Sequence, residues 1–308
     1  MIETKGLTKY YGALGALVDL DLSIPAGDIF GFIGPNGAGK TTTMRILATL
    51  LAPTRGWATI DGLDVARRGR EVRRRVGYMP DFMGVYDDLK VFEYLEFFAA
   101  AFGVARSKRR AVVDGVLELT DLTSKRAAAV DALSRGMQQR LQLARVLIHD
   151  PKVLILDEPA SGLDPRARIE IRELLRELKR MGKTIMISSH ILSELEEMCD
   201  HVGIIEQGRL VFAGTLEEIH RRLGAFRRMS VRVAGEADKA VELLTALPQV
   251  ESVRAAGDRL TVALRDGSDT HGLVARTLVL GGLSVLEIVP ERVKLDDAFL
   301  QLTRGLVH

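Results

Sequence analysis

Short apolar runs alternate with amphipathic segments through the first two-thirds of the chain, the pattern of strands buried in a largely parallel sheet and covered by helices. Ile29-Phe30-Gly31-Phe32-Ile33, Val153-Leu154-Ile155-Leu156 and Thr184-Ile185-Met186-Ile187 are the clearest buried strands. Leu17 to Ile24 alternates apolar and polar positions, which predicts a strand with one wet face. Between Asp88 and His149 the period turns helical with no convincing strand, so residues 88–149 read as a helical insert.

Thr215-Leu216-Glu217-Glu218 has the form of a capping box and predicts a helix start. Beyond Gly224 the order becomes strand (Met229 to Val233), helix (Ala237 to Leu247), strand (Val250 to Ala255), strand (Arg259 to Leu264), helix (Thr270 to Leu280) and strand (Leu283 to Val289). Gly257-Asp258 supplies the hairpin between the middle strands. This is the βαββαβ order of a ferredoxin-like unit, and it predicts a small α+β domain over 224–308 after a first domain over 1–223.

Composition narrows the function classes. With 47% hydrophobic and 27% charged residues in 308, the chain has the make-up of a globular protein able to bury a sizeable core. Its one cysteine, Cys199, can form no internal disulfide and is read as inert packing, which fits a reducing, cytoplasmic setting. The start Met1-Ile2-Glu3-Thr4-Lys5 lacks the basic and apolar pattern of a secretory signal. The apolar stretches Lys152–Leu156 and Thr277–Val289 fall short of the ~20 residues of a membrane-spanning helix. A net charge of +2 gives no reason to expect a nucleic-acid partner. Six arginines in nine residues at Arg67–Arg75 read as a solvated face, with phospholipid contact as the weaker alternative.

Gly34-Pro35-Asn36-Gly37-Ala38-Gly39-Lys40-Thr41 fits the phosphate-loop pattern in its required context, after the strand Ile29–Ile33 and before the helical segment Thr42–Leu51. Curled glycine backbone turns successive N–H groups toward one anion, the helix N-terminus adds partial positive charge, and Lys40 neutralises outer phosphates. Thr41 can place its hydroxyl on Mg²⁺. At the carboxyl end of the strand Val153–Leu156, Asp157 and Glu158 point in alternate directions. Asp157 can orient Mg²⁺, and Glu158 can position or activate a water for attack on the terminal phosphate. His190 ends the run Ser188-Ser189-His190 and is a candidate γ-phosphate contact.

About twenty residues before the acidic pair, Leu133-Ser134-Arg135-Gly136-Met137-Gln138-Gln139-Arg140 resembles the LSGGQ-type signature of ABC ATPases. With the phosphate loop, Tyr11, Ser161-Gly162-Leu163-Asp164 and His190, the family's motifs occur in order over roughly residues 2 to 222. The resemblance implies an α/β fold: a phosphate-loop ABC ATPase domain with a helical insert, followed by the ferredoxin-like C-terminal domain. It implies ATP and Mg²⁺ as the bound species, with Gly34, Pro35, Asn36, Gly37, Ala38, Gly39, Lys40, Thr41 and Thr42 around the phosphates. It further implies that Tyr11, placed before the first strand, stacks on adenine, that Asp157 supports Mg²⁺, that Glu158 is the catalytic base, and that His190 senses the γ-phosphate. Ser161–Asp164 would link two protomers. Ser134 and Gly136 open a helix whose N-terminus would face a nucleotide held by the other copy of a head-to-tail dimer.

Two motifs depart from the family pattern. Arg135 and Met137 replace a glycine and the glutamine of the signature, and Asp81, in Gly77-Tyr78-Met79-Pro80-Asp81, stands where the family usually has glutamine. An anionic oxygen at 81 can still bind Mg²⁺. Eight of the sixteen aromatic residues fall between Tyr78 and Phe102. Phe97, Phe98 and Phe102 read as insert core, and Phe82, Met83 and Tyr86 as an exposed anchor where the resemblance places the coupling helix of a membrane subunit. The whole layout resembles the ATPase subunits that pair with ABC-2-type permeases in drug or lipophile export, as a homodimer or heterodimer peripheral to the cytoplasmic face of the membrane. The final helix Leu295–Thr303 resembles the tail of such subunits. A soluble ABC ATPase acting on ribosomes or DNA, and a regulatory nucleotide switch, are the alternatives.

Overall fold

The computed structural model describes residues 1–81, 88–189, 195–222, 228–265 and 271–290. The chain divides into two compact units, the first spanning Met1–Thr215 and the second beginning at Leu216.

In the first unit, β1 (Ile2–Tyr11), β2 (Leu14–Ile24), β4 (Arg55–Ile60) and β5 (Leu63–Asp64) form an antiparallel sheet in the order β2-β1-β4-β5. A second sheet has the order β10-β9-β3-β8-β7-β6, from β3 (Ile29–Ile33), β6 (Val76–Met79), β7 (Val153–Asp157), β8 (Thr184–Ser189), β9 (His201–Glu206) and β10 (Arg209–Thr215). Its strands run parallel except for β10, which is antiparallel to β9 at the edge. Every residue of β3, β7 and β8 is buried, the physical reason Ile29–Ile33, Val153–Leu156 and Ile185–Ile187 read as apolar runs.

Between the two sheets lies α1 (Lys40–Leu47), whose Met44, Ile46 and Leu47 pack into one core with Leu7, Leu17 and Leu20 from the first sheet and Phe30, Phe32, Ile155 and Met186 from the second. This core anchors α1, the helix that follows the phosphate loop. Helix α2 (Gly69–Arg73) precedes β6. Half of the arginine cluster is engaged locally: Arg68 pairs with Glu71, Arg75 with Asp61, and Arg73 donates to Thr49.

Residues 88–149 hold α3 (Val91–Ala101), α4 (Arg106–Leu119), a short 3-10 turn at Thr123–Lys125 and α5 (Arg135–Leu147), with a single bridge between Lys90 and Ala129. Val91, Tyr94, Leu95 and Ala99 make the buried stripe of α3. Phe97 falls outside that stripe and is 55% exposed, and Phe102 is 45% exposed at the end of the helix, so the sequence reading of both as core is corrected. Phe82, Met83 and Tyr86 lie outside the described residues. Next comes α6 (Pro165–Arg180), started by Asp164, whose carboxylate accepts from the N–H groups of Arg166 and Ala167, with Pro165 in the first turn. Helix α7 (Leu216–Arg222) begins immediately after Thr215.

The second unit contains β11 (Arg228–Val233), α8 (Ala237–Thr245), β12 (Val250–Ala256), β13 (Arg259–Leu264), α9 (His271–Leu280) and β14 (Val285–Pro290). Its sheet is antiparallel with the order β12-β13-β11-β14, the ferredoxin-like arrangement. Met229, Val231, Leu260 and Val262 from the sheet bury against Ala240, Leu244, Val274 and Leu278 from the helices, giving this unit its own core. Residues 295–303 lie outside the described residues.

Candidate active site

Strand β3 delivers the phosphate loop at its carboxyl end, between β8 and β9. Gly39 ends the loop at φ +109, a conformation closed to side-chain-bearing residues, and a Cβ there would lie 2.6 Å from the carbonyl oxygen of Ala16. The loop is tied to the edge of the sheet by Gly208 N–H, which donates to the Ala38 carbonyl at 2.9 Å. Lys40 is almost fully buried, and its ammonium donates to the carbonyls of Gly34 (2.5 Å) and Pro35 (3.1 Å). Burial pulls its pKa below the ordinary lysine value, and the carboxylates of Glu158 and Asp157 oppose that pull.

Asp157 ends β7 and is 2% exposed. One carboxylate oxygen accepts a 2.8 Å hydrogen bond from the Thr41 hydroxyl, and the other accepts from the Ser188 hydroxyl at 2.5 Å. The same Ser188 oxygen accepts from the N–H of Glu158 at 2.9 Å. Glu158 adopts φ +53, a left-handed turn that redirects the chain directly after the strand. Pro35 through Thr42, Asp81, Asp157 and Glu158 line a single cavity of about 180 Å³. Asp81, two residues past the end of β6, therefore shares the cavity with the other candidate metal oxygens.

Other sequence-selected residues lie elsewhere. Tyr11 is the last residue of β1 rather than a residue before the first strand; it is 47% exposed, with the Lys9 ammonium 5.4 Å from its ring centre. Ser134 caps α5, its hydroxyl accepting from Met137 N–H at 3.4 Å, and Gly136 follows in the first turn. Neither α5 residue lines the cavity. His190 lies outside the described residues. Ser188, two residues before His190, is a site residue that the motifs do not mark. A hydroxyl at the carboxyl end of an otherwise apolar buried strand was its signal, and the parallel register that sets Asp157 opposite Ser188 gives it a role.

A family model described as ABC transporter matches residues 17–161. Along nearly its whole length the chain is similar to the Nod factor export ATP-binding protein I of Ralstonia nicotianae, at 37% identity over 304 residues, covering 98% of this chain and 94% of that relative. The chain belongs to the ATP-binding subunits of ABC transporters. It is also 36% identical over 306 residues to the bacitracin transport ATP-binding protein BcrA of Bacillus licheniformis, covering 99% of this chain and 98% of that one. Among solved structures it is similar to the ATP-binding cassette MJ0796, in a dimeric post-hydrolysis state bound to ADP and Pi, with a TM-score of 0.64 and 25% identity over 70% of this chain and 98% of that chain. The ABC ATPase subunit thus carries its phosphate loop and acidic pair on the α/β fold that the family uses for ATP hydrolysis.

Proposed function

We propose that this subunit binds ATP with Mg²⁺ in the cavity around Lys40, closes head to tail on a second ATPase subunit, identical or homologous, and so drives export through a separate membrane permease. The convergence of Lys40, Thr41, Asp81, Asp157 and Glu158 on one cavity at the carboxyl ends of parallel strands carries this reading. Its domain plan is an ATPase domain over 1–223 and an accessory domain over 224–308.

Position supports the roles of the residues that line the cavity. The loop Gly34–Gly39 and the N-terminus of α1 offer N–H groups to phosphate oxygens, and the buried Lys40 ammonium compensates their charge. The donor set fits a hard cation, because Thr41, Asp157 and Asp81 present oxygen alone on the same cavity. Among the described residues no group of three or more His, Cys, Asp or Glu could hold a metal ion. These few oxygens suit a cation that arrives with the nucleotide phosphates, as Mg²⁺ does, and when bound it would neutralise phosphate charge. Ser188 fixes both the Asp157 carboxylate and the backbone of Glu158, and the Glu158 carboxylate, on the same cavity, would orient a water and accept its proton. Tyr11 would stack on adenine, His190 would meet the γ-phosphate, and Ser134 and Gly136 would face the nucleotide of the other subunit.

Among the described residues no helix is long and apolar enough to cross a membrane, which supports a separate membrane partner and a peripheral position on the cytoplasmic face. The relative named for Nod factor export supports export as the direction. The nucleotide reading is tested with Glu158→Gln, which keeps ATP binding and loses turnover by about 100-fold or more; sustained multiple turnover would remove Glu158 as the base. Affinity capture from detergent extracts tests the transport reading: a polytopic membrane protein is the expected companion, and ribosomal or DNA components would overturn it.

A further inference from the structure

Arg135, one of the two residues that depart from the family signature, touches the loop that follows Glu158. Arg135 opens α5, and its guanidinium lies against Gly162. A methyl group on Gly162 would meet Cζ, Nη2 and Nη1 of Arg135 at nearly equal separations, all under 3.0 Å. Near-equal separations from three atoms of one plane mean that the flat face of the guanidinium, rather than an edge, covers the Gly162 main chain. Gly162 has φ +66, so the same position that must lack a Cβ for backbone reasons provides the seat for the arginine. Among the described residues the Arg135 side chain makes no ion pair and no hydrogen bond, and its packing against Gly162 is the contact that places it.

The next residue docks on the same segment: a Cβ on Gly136 would lie 3.0 Å from Cβ of Ala167. The segment is continuous with the catalytic turn, since Ser161 N–H donates to the Glu158 carbonyl at 3.1 Å and Asp164 caps α6 through Arg166 and Ala167. Two consecutive signature residues thus rest on the chain that leaves Glu158.

We propose that Arg135 is a positioning residue for ATP hydrolysis: by covering Gly162 it restrains the loop from Glu158 to Asp164 and so holds the Glu158 carboxylate in register with its water. A planar guanidinium can lie flat on a peptide where an ammonium cannot. The inference rests on the reading of Glu158 as the base. In the head-to-tail dimer proposed above, the start of α5 faces the partner's nucleotide while Glu158 serves the chain's own, so Arg135 links the two sites within one subunit.

Steady-state ATPase measurements on the full chain test this with Arg135→Gly, Arg135→Lys, Gly162→Ala and the Arg135→Gly/Gly162→Ala double variant, with Glu158→Gln alongside. Arg135→Gly should lower kcat by about 10- to 100-fold, the upper figure being the cost of a ~1 Å misplacement of a catalytic group, with KM for ATP and the melting temperature unchanged. Arg135→Lys should fail to restore the rate. The double variant should be no slower than its slower parent, because both changes remove one contact. A kcat for Arg135→Gly within about twofold of the unmodified chain, a drop in its melting temperature that accounts for the loss, or additive effects in the double variant would overturn the proposal. Should Gly162→Ala fail to fold, the two arginine variants decide alone. Sustained turnover by Glu158→Gln would instead overturn the assignment of the base, an outcome distinct from a silent Arg135→Gly.

Discussion

The Thr41 hydroxyl donates to the Asp157 carboxylate at 2.8 Å, joining the first turn of α1 to the end of β7 across 116 positions of sequence. This bond ties the two halves of the candidate nucleotide site together. With Ser188 holding the other oxygen, the carboxylate is aimed from two sides. Thr41→Ala removes one of these donors and one candidate cation ligand. The expected outcome is a loss of about 1 kcal/mol in stability, because Asp157 keeps Ser188 as a partner, together with a higher Mg²⁺ concentration for half-maximal turnover. Chemical denaturation and a Mg²⁺ titration of the ATPase rate measure the two effects separately.

Asp81 lines the cavity in place of the family's usual glutamine, and its charge makes it the stronger oxygen donor. Asp81→Asn keeps the size and removes the charge. The Mg²⁺ requirement should rise by about tenfold while ATP affinity measured without metal stays level. An unchanged Mg²⁺ dependence would take Asp81 out of the metal site.

Gly39 cannot accept a side chain without moving the loop. Its φ of +109 and the Ala16 carbonyl, 2.6 Å from where a Cβ would sit, act in the same direction. Gly39→Ala should cost on the order of 1–3 kcal/mol of stability and abolish nucleotide binding even where the chain still folds. Thermal unfolding with and without ATP checks both, since the unmodified chain gains melting temperature from the ligand and the variant should not.

His149 gives the first unit a pH-dependent component of stability. Its Nε2–H donates to the Val76 carbonyl at 3.0 Å, its ring stacks on Phe102, and burial lowers its pKa from the ordinary histidine value, outweighing the opposing effects of the Val76 bond and Asp150. The unfolded chain therefore takes up a proton at a pH where the folded chain does not. Stability contributed by neutral His149 is complete above the ordinary histidine pKa of roughly 6.5 and is lost as the pH falls toward the lowered folded value. His149→Phe, which keeps an aromatic ring against Phe102, should flatten the fall in unfolding free energy between pH 7 and pH 5. A variant whose acid-side decline matches that of the unmodified chain would contradict this assignment.

Local order alone determined much of this protein. Unbroken apolar runs at Ile29–Ile33 and Val153–Leu156 specify strands buried on both faces, because nothing polar in them can face water. The glycine spacing before Lys40 specifies a phosphate loop, because only a curled backbone ahead of a helix needs it. The βαββαβ order after Gly224 was legible for the same reason, since turn residues and period changes are local signals. Tertiary structure decided what depends on register and approach between distant segments. Only the parallel pairing of β7 with β8 sets Ser188 opposite Asp157, and only the fold brings Asp81 into their cavity. Phe97 reads as apolar wherever it stands, and the rotation of α3 against its neighbours is what leaves it exposed. Likewise the meeting of Arg135 with Gly162 appears in neither residue's neighbourhood, because it depends on how the start of α5 seats on the turn before α6.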